Sequence, residues 1–207
     1  MKNPVRPFKI ESVGAPETLK GFVWPHLFLD SSRPLDLEIG CGVGWHPIRY
    51  AQENSGRNLI AVEHTREKFE RFRTRVDRHP HLDNLLAIHA DAIRWVSHAL
   101  KAESLDRCFL LYPNPEPKAV NKRWMRSPFM HQLLKTLKSG GELILATNEA
   151  WYFEEAKDWA VDHWHLEMRE QRAFAHNSSP EDVPRTHFER KYLLGGQTCF
   201  DVCFRKP

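Results

Sequence analysis

The sequence predicts an α/β fold on one open, mostly parallel sheet of seven strands, the last of them antiparallel. Short apolar runs alternate with amphipathic stretches along most of the chain, the pattern of strands joined by crossover helices. The first run, Leu35–Ile39, ends abruptly in Gly40, Gly42 and Gly44, a tight strand-to-helix turn. Two late runs, near 164–169 and 198–205, read as an antiparallel pair.

Composition sets outer bounds. A chain of 207 residues with 41% hydrophobic and 28% charged side chains suits a single globular domain with a sizeable core. No apolar run is long enough for a transmembrane helix, and residues 1–9 lack the apolar segment of a signal peptide. A cytoplasmic protein with no membrane partner is therefore expected. Net charge of +3 permits a nucleic-acid partner without demanding one. Cys41, Cys108, Cys199 and Cys203 form no C-x-x-C pair and the twelve histidines no ligand pattern, so packing cysteines and no metal are expected. Oligomeric state stays open, with a monomer preferred.

Taken in order, residues 1–30 read as an N-terminal arm (1–14) and a short helix over 16–29, broken near Pro25. After the glycine turn come a helix at Trp45–Glu53, a strand at 59–63, and a charge-laced amphipathic helix at 66–78. The arginines and lysine of that helix are offset by Glu67, Glu70 and Asp77, which favours a solvated face over an RNA patch. A strand at 84–90, a helix at 92–101 and a strand at 107–112 follow. The loop 112–118 holds three prolines and is rigid and extended. A helix is expected over 122–137, a turn at Ser139, Gly140 and Gly141, a strand at 142–147 and a helix at 151–163. The stretch 173–196 reads as a long polar loop on the substrate side.

Ligand chemistry concentrates at the strand ends. Glycines let a ligand approach the backbone where any side chain would collide, and open α/β sheets bind ligands beyond the carboxyl ends of their strands. A dinucleotide fingerprint needs a glycine at position 45, where Trp45 stands. Glu38, two residues before Gly40, suits a ligand with positive charge and hydroxyls. Glu63 lies about 20 residues beyond the turn, where Rossmann-like folds place a carboxylate on ribose hydroxyls. Asp91, after the third strand, is placed to accept an adenine amino group. Lys118, Lys122, Arg123 and Arg126 follow the proline loop with Trp124 among them, a basic and aromatic cluster suited to phosphates.

The segment E-I-G-C-G-V-G resembles the first motif of the S-adenosylmethionine-dependent methyltransferases. With the acid Glu63, A-D-A at 90–92, P-N-P-E-P-K at 113–118, T-N at 147–148 and R-T-H-F-E-R-K at 185–191, the chain resembles the bacterial tRNA (guanine-N7)-methyltransferases, from about Leu35 to Arg205. That resemblance implies a Rossmann-like methyltransferase fold, S-adenosylmethionine as cofactor and tRNA as partner. It assigns Glu38, Gly40, Gly42, Gly44, Glu63, Asp91 and Asn114 to the cofactor. It assigns Lys118, Asn148, Thr186, Phe188 and Glu189 to the substrate, and Asn114 to the reacting centre. The family loop usually reads proline-aspartate-proline-tryptophan-proline-lysine and its later motif threonine-aspartate. Here Asn114, Glu116 and Asn148 stand at the altered positions, and the chain before the first motif is shorter.

Guanine N7 carries a lone pair and no proton, so its methylation needs alignment and charge stabilisation rather than a general base. Amides in place of two carboxylates weaken that stabilisation without abolishing it, since charge-assisted hydrogen bonds are about twice as strong as neutral ones. Two other readings stay open: a divergent methyltransferase acting on another RNA or a small molecule, and a catalytically silent cofactor- and RNA-binding protein.

Overall fold

Leu35, Leu37 and Ile39 alternate with Asp36 and Glu38, so a strand here points apolar side chains to one side and acids to the other. In a computed structural model, which describes residues 5–19, 28–175 and 183–207, this strand, β1 (Leu35–Ile39), is buried on both sides. The apolar side chains enter the main core. Asp36, fully buried, accepts hydrogen bonds from Arg57 at 2.7 and 2.6 Å and from the Tyr50 hydroxyl at 2.7 Å. Burial raises its carboxyl above the ordinary range, and the Arg57 and Tyr50 bonds offset part of that rise.

The remaining strands are β2 (Asn58–Glu63), β3 (Leu85–His89), β4 (Leu105–Leu111), β5 (Leu137–Thr147), β6 (Glu167–Phe174) and β7 (Cys199–Arg205). They form one sheet in the order β3-β2-β1-β4-β5-β7-β6. β1 to β5 are mutually parallel, and β7 runs antiparallel to both β5 and β6. The helices are α1 (Trp45–Glu53), α2 (Arg66–Val76), α3 (Ala92–Ala99), α4 (Met130–Thr136), α5 (Ala150–Asp162) and α6 (His187–Leu194). Side chains of α3, α4 and α5 fill the main core on one face, while Tyr50 of α1 and Leu193 of α6 join a smaller cluster on the other. The strand order reverses direction between β1 and β4, which opens a crevice at their carboxyl ends.

Several expected elements differ. The helix expected over 122–137 is two single 3-10 turns, Val120–Lys122 and Trp124–Arg126, followed by α4. Pro128 forces Ser127 into an extended conformation and so separates the pieces. The expected turn at Ser139, Gly140 and Gly141 is a bulge inside β5. Leu105 pairs with Leu137 and Arg107 with Glu142, so residues 138–141 arch around Asp106, which Lys138 Nζ reaches at 2.8 Å. Gly140 makes that arch possible at φ +78°. β6 begins at Glu167 rather than 164, because the Trp164 indole is held by the Met125 carbonyl at 2.8 Å. The polar stretch 173–196 contains α6, with 176–182 outside the described residues. Of the helix expected over 16–29, Glu17–Leu19 is one 3-10 turn and 20–27 lie outside the described residues.

Cys41, Cys108 and Cys199 are buried, and burial raises all four thiols above their ordinary range, Cys203 to about 11. Among the described residues no helix is long and apolar enough to cross a membrane, and no cluster of metal-ligating side chains occurs.

Candidate active site

The glycine turn is held from below and open above. Gly40 and Cys41 donate backbone hydrogen bonds to the Val62 carbonyl at 2.8 and 3.3 Å, which tie the turn to the end of β2. Gly40, Gly42 and Gly44 all have left-handed backbones, at φ +76°, +61° and +83°. Their surroundings differ. A Cβ on Gly44 would collide with the Phe72 ring of α2, whereas one on Gly40 or Gly42 would meet nothing within 4 Å. The third glycine therefore serves packing, and the first two leave free space over the backbone.

That space belongs to a cavity of about 290 Å³, near the lower limit for ligand sites. Glu38, Gly40, Gly42 and His46 line it from β1 and the start of α1; Thr186 and Phe188 line it from the head of α6. Five sequence-predicted residues thus meet around one cavity. Glu38 is 2% exposed and its Oε2 lies 2.7 Å from Nδ1 of His46. His46 in turn packs against Phe109 and Tyr50, with ring centroids 5.1 and 5.6 Å away. Sequence reasoning missed His46. Its only signal is its place in the first turn of α1, eight residues after Glu38.

Glu63 lies beside the cavity rather than in its wall. Its Oε2 accepts from the Gly42 amide and its Oε1 from the Thr65 amide, both at 2.7 Å. The carboxylate fixes the glycine turn, and each oxygen keeps a lone pair for a further donor. Asp91 caps α3, accepting from the Arg94 amide at 2.9 Å.

The residues expected to meet substrate are placed differently. Asn114 is exposed on the proline loop, where its amide pairs with Glu116 at 3.4 Å. The loop is bent by left-handed backbones at Tyr112 and Glu116, φ +54° and +43°. Lys118 is exposed, and Asn148 donates to Gln197 Oε1 at 3.0 Å. None of Asn114, Lys118, Asn148 and Glu189 lines the cavity. Thr186 caps α6, its hydroxyl accepting from the Glu189 amide at 2.9 Å. Glu189 is itself buried. Its Oε2 accepts from the Tyr112 hydroxyl at 2.7 Å and from Arg185 at 3.2 and 3.3 Å, and its Oε1 accepts from the Arg185 amide at 2.9 Å. Burial beside this carboxylate pushes the Tyr112 phenol well above its ordinary range.

The basic cluster after the loop is not a phosphate surface as a whole. Arg123 is 8% exposed, pairs with Glu155 at 2.7 Å and lies 4.8 Å over the Trp151 ring. Arg126 shares Glu155 at 3.2 Å and lies 4.6 Å over Trp159. These two arginines pin the proline loop to α5, partly through Arg123 Nη2 donating to the Pro117 carbonyl. Lys118 and Lys122 remain exposed.

Known proteins resemble the chain throughout this region. Residues 32–202 match the family described as "Putative methyltransferase". A tRNA (guanine-N(7)-)-methyltransferase of Nitrosomonas eutropha is 32% identical over 181 residues, covering 84% of this chain and 76% of that protein. Its counterpart in Nitrosospira multiformis is 31% identical over 182 residues, covering 87% and 78%. Among solved structures, the 16S rRNA methyltransferase KamB superposes with a TM-score of 0.66 at 19% identity, covering 84% of this chain and 88% of that one. A structure described as an antibiotic related methyltransferase gives 0.63 at 13% identity, covering 83% and 87%. At such identities these two structures speak for the fold alone.

Proposed function

Because the chain belongs to the tRNA (guanine-N(7)-)-methyltransferase family, we propose that it methylates N7 of a guanine in tRNA. S-adenosylmethionine is the methyl donor, and when bound it supplies a methyl carbon made electrophilic by its sulfonium. One observation carries the reading: the glycine turn and residues 186–188 wall a single cavity at the carboxyl end of the sheet. Methyl transfer needs donor and acceptor side by side, and both motifs line this one cavity.

The residues present suit this cofactor. Gly40 and Gly42 leave open space for it, and the buried carboxylate of Glu38 is the charge to hold an ammonium. Glu63 takes the ribose hydroxyls while its amide bonds keep the turn in place. Gly44 lets α2 close on the turn, and Asp91 takes the adenine edge. On the acceptor side, Thr186 and Phe188 hold the guanine. Glu189, with its oxygens engaged by Tyr112 and Arg185, serves the guanine by anchoring that segment. Asn114 on the proline loop orients the base at the reacting centre, while Lys118 and Asn148 contact the RNA around it.

No residue need remove a proton, since N7 has none. The chain contributes alignment, worth several kcal/mol when reacting atoms are held in near-attack geometry (up to about 7–11). It also contributes acceptors for the charge that grows on the purine. In this reading tRNA is the partner, the cytoplasm the place of action and a monomer the working unit. Incubation with unmodified tRNA and labelled S-adenosylmethionine, followed by nucleoside mass spectrometry, should yield labelled 7-methylguanosine. Label in any other nucleoside, or none, would sink the proposal.

A further inference from the structure

Helix α2 is not uniformly solvated. Lys68, Arg71 and Arg75 recur at helical spacing and form one stripe. All three line the cavity together with the glycine turn and the head of α6. Arg73, on the same helix, does not; it pairs with Glu70 at 2.6 Å in solvent. Aromatic rings interleave with the stripe. Arg75 and, from α6, Arg190 each lie 5.8 Å from the Trp45 ring, and Lys68 Nζ lies 5.5 Å over the Phe188 ring. Beyond Trp45 a shallower groove of about 270 Å³ continues between α1 and α2, past Arg49 and Arg78.

Charge in this strip is only partly answered from within the protein. Glu67 reaches Arg71 at 2.7 Å and Glu53 reaches Arg49 at 2.7 Å, both as exposed pairs that exchange readily with other anions. Arg75 finds a carbonyl instead, donating to Val43 at 2.6 Å. Burial and the neighbouring guanidiniums of Arg71 and Arg78 lower its affinity for its proton. Cations crowded in this way favour an incoming polyanion.

Resting on the tRNA reading above, we infer that this groove is the path of the RNA backbone. Lys68 and Arg71 neutralise phosphates flanking the target guanosine, and the strand leaves over Trp45 toward Arg78. Cations interleaved with aromatic faces are the chemistry of single-stranded or splayed-out RNA. The path starts at residues 186–188, so a nucleotide entering the cavity draws its own phosphates across α2.

The test pairs two charge reversals on one helix. Lys68→Glu combined with Arg71→Glu is compared with Arg73→Glu by titrating unmodified tRNA over a range of KCl concentrations. The double variant should bind roughly tenfold or more weakly, with a log-log salt slope flatter by about one for each phosphate no longer neutralised. Arg73→Glu should match the wild type, and S-adenosylmethionine should still raise the melting temperature of all three proteins. Equal affinities and slopes for both variants, with a wild type that binds and methylates tRNA, would overturn the path and leave the tRNA reading standing. Loss of the cofactor-induced shift in the double variant would overturn it too, by assigning these cations to the cofactor. A wild type that neither binds tRNA in a salt-dependent way nor forms 7-methylguanosine would overturn both.

Discussion

Glu38 and Glu189 are equally buried, each 2% exposed, yet they stand in opposite relations to a ligand. Glu38 faces the cavity and, among the described residues, has the imidazole of His46 as its hydrogen-bond partner. Glu189 lies behind the cavity wall, with Tyr112 and the backbone and guanidinium of Arg185 on its oxygens. Arg185 also reaches Asp201 at 2.8 Å, so Glu189 belongs to a buried network that joins α6 to β4 and β7. Burial of an acid is therefore not evidence of a binding role. What matters is whether its partners inside the protein leave it free to take another.

Removing Glu189 should have the largest effect. Glu189→Ala takes the acceptor from the Tyr112 hydroxyl and the Arg185 amide and leaves the Arg185 guanidinium with Asp201 alone, a loss of about 3 kcal/mol of folding stability. Urea unfolding would measure it, and an unchanged midpoint would erase the contrast between the two acids. Two glycines probe the same contrast within the turn. Gly44→Ala drives a methyl into the Phe72 ring and should cost about 2 kcal/mol of stability. Gly42→Ala meets open space, so it should cost about 1 kcal/mol from its left-handed backbone while greatly weakening the cofactor-induced melting shift. If the two substitutions behaved alike, the turn would have no distinct ligand-facing part.

Glu38→Gln keeps shape and hydrogen bonding but removes the charge. It should weaken S-adenosylmethionine binding by about 1–2 kcal/mol in calorimetry, with a smaller effect on stability. The smallest change is expected at Asn114→Asp, which on the proposed placement of Asn114 adds a negative charge beside a purine that becomes cationic. Single-turnover methylation should quicken a few-fold, about 1 kcal/mol. A slower enzyme with normal cofactor affinity would mean that Asn114 matches a substrate other than the family's.

The glycine-turn side of the candidate site was legible in the sequence because its elements are local. β1, the glycine turn and α1 are contiguous, and their bounds match the expectation. The region after the proline loop and around α6 depends on partners far apart in the chain. Arg123 and Arg126 look like phosphate ligands until α5 brings Glu155, Trp151 and Trp159 against them. The Thr-His-Phe-Glu run at 186–189 did carry a readable signal, the reciprocal spacing of a helix cap, but it sat inside a polar stretch that reads as loop. Gly140 misleads for the converse reason: a glycine pair marks a bulge as readily as a turn, and only the pairing with β4 and β7 decides between them.

Strand order also dictates an order of events as the protein is made. β6 precedes β7 in the chain, yet β7 is the neighbour through which β6 joins the sheet. Until β7 has emerged from the ribosome, β6 has no place to dock, and its run of exposed side chains must wait in water. That run, E-M-R-E-Q-R-A-F, is rich in charge, which suits a segment that stays unpaired while synthesis proceeds. β1 to β5 can assemble earlier, since each lies beside strands already synthesised or next in line. The strands that frame the glycine turn thus have their sheet neighbours before β7 brings in β6.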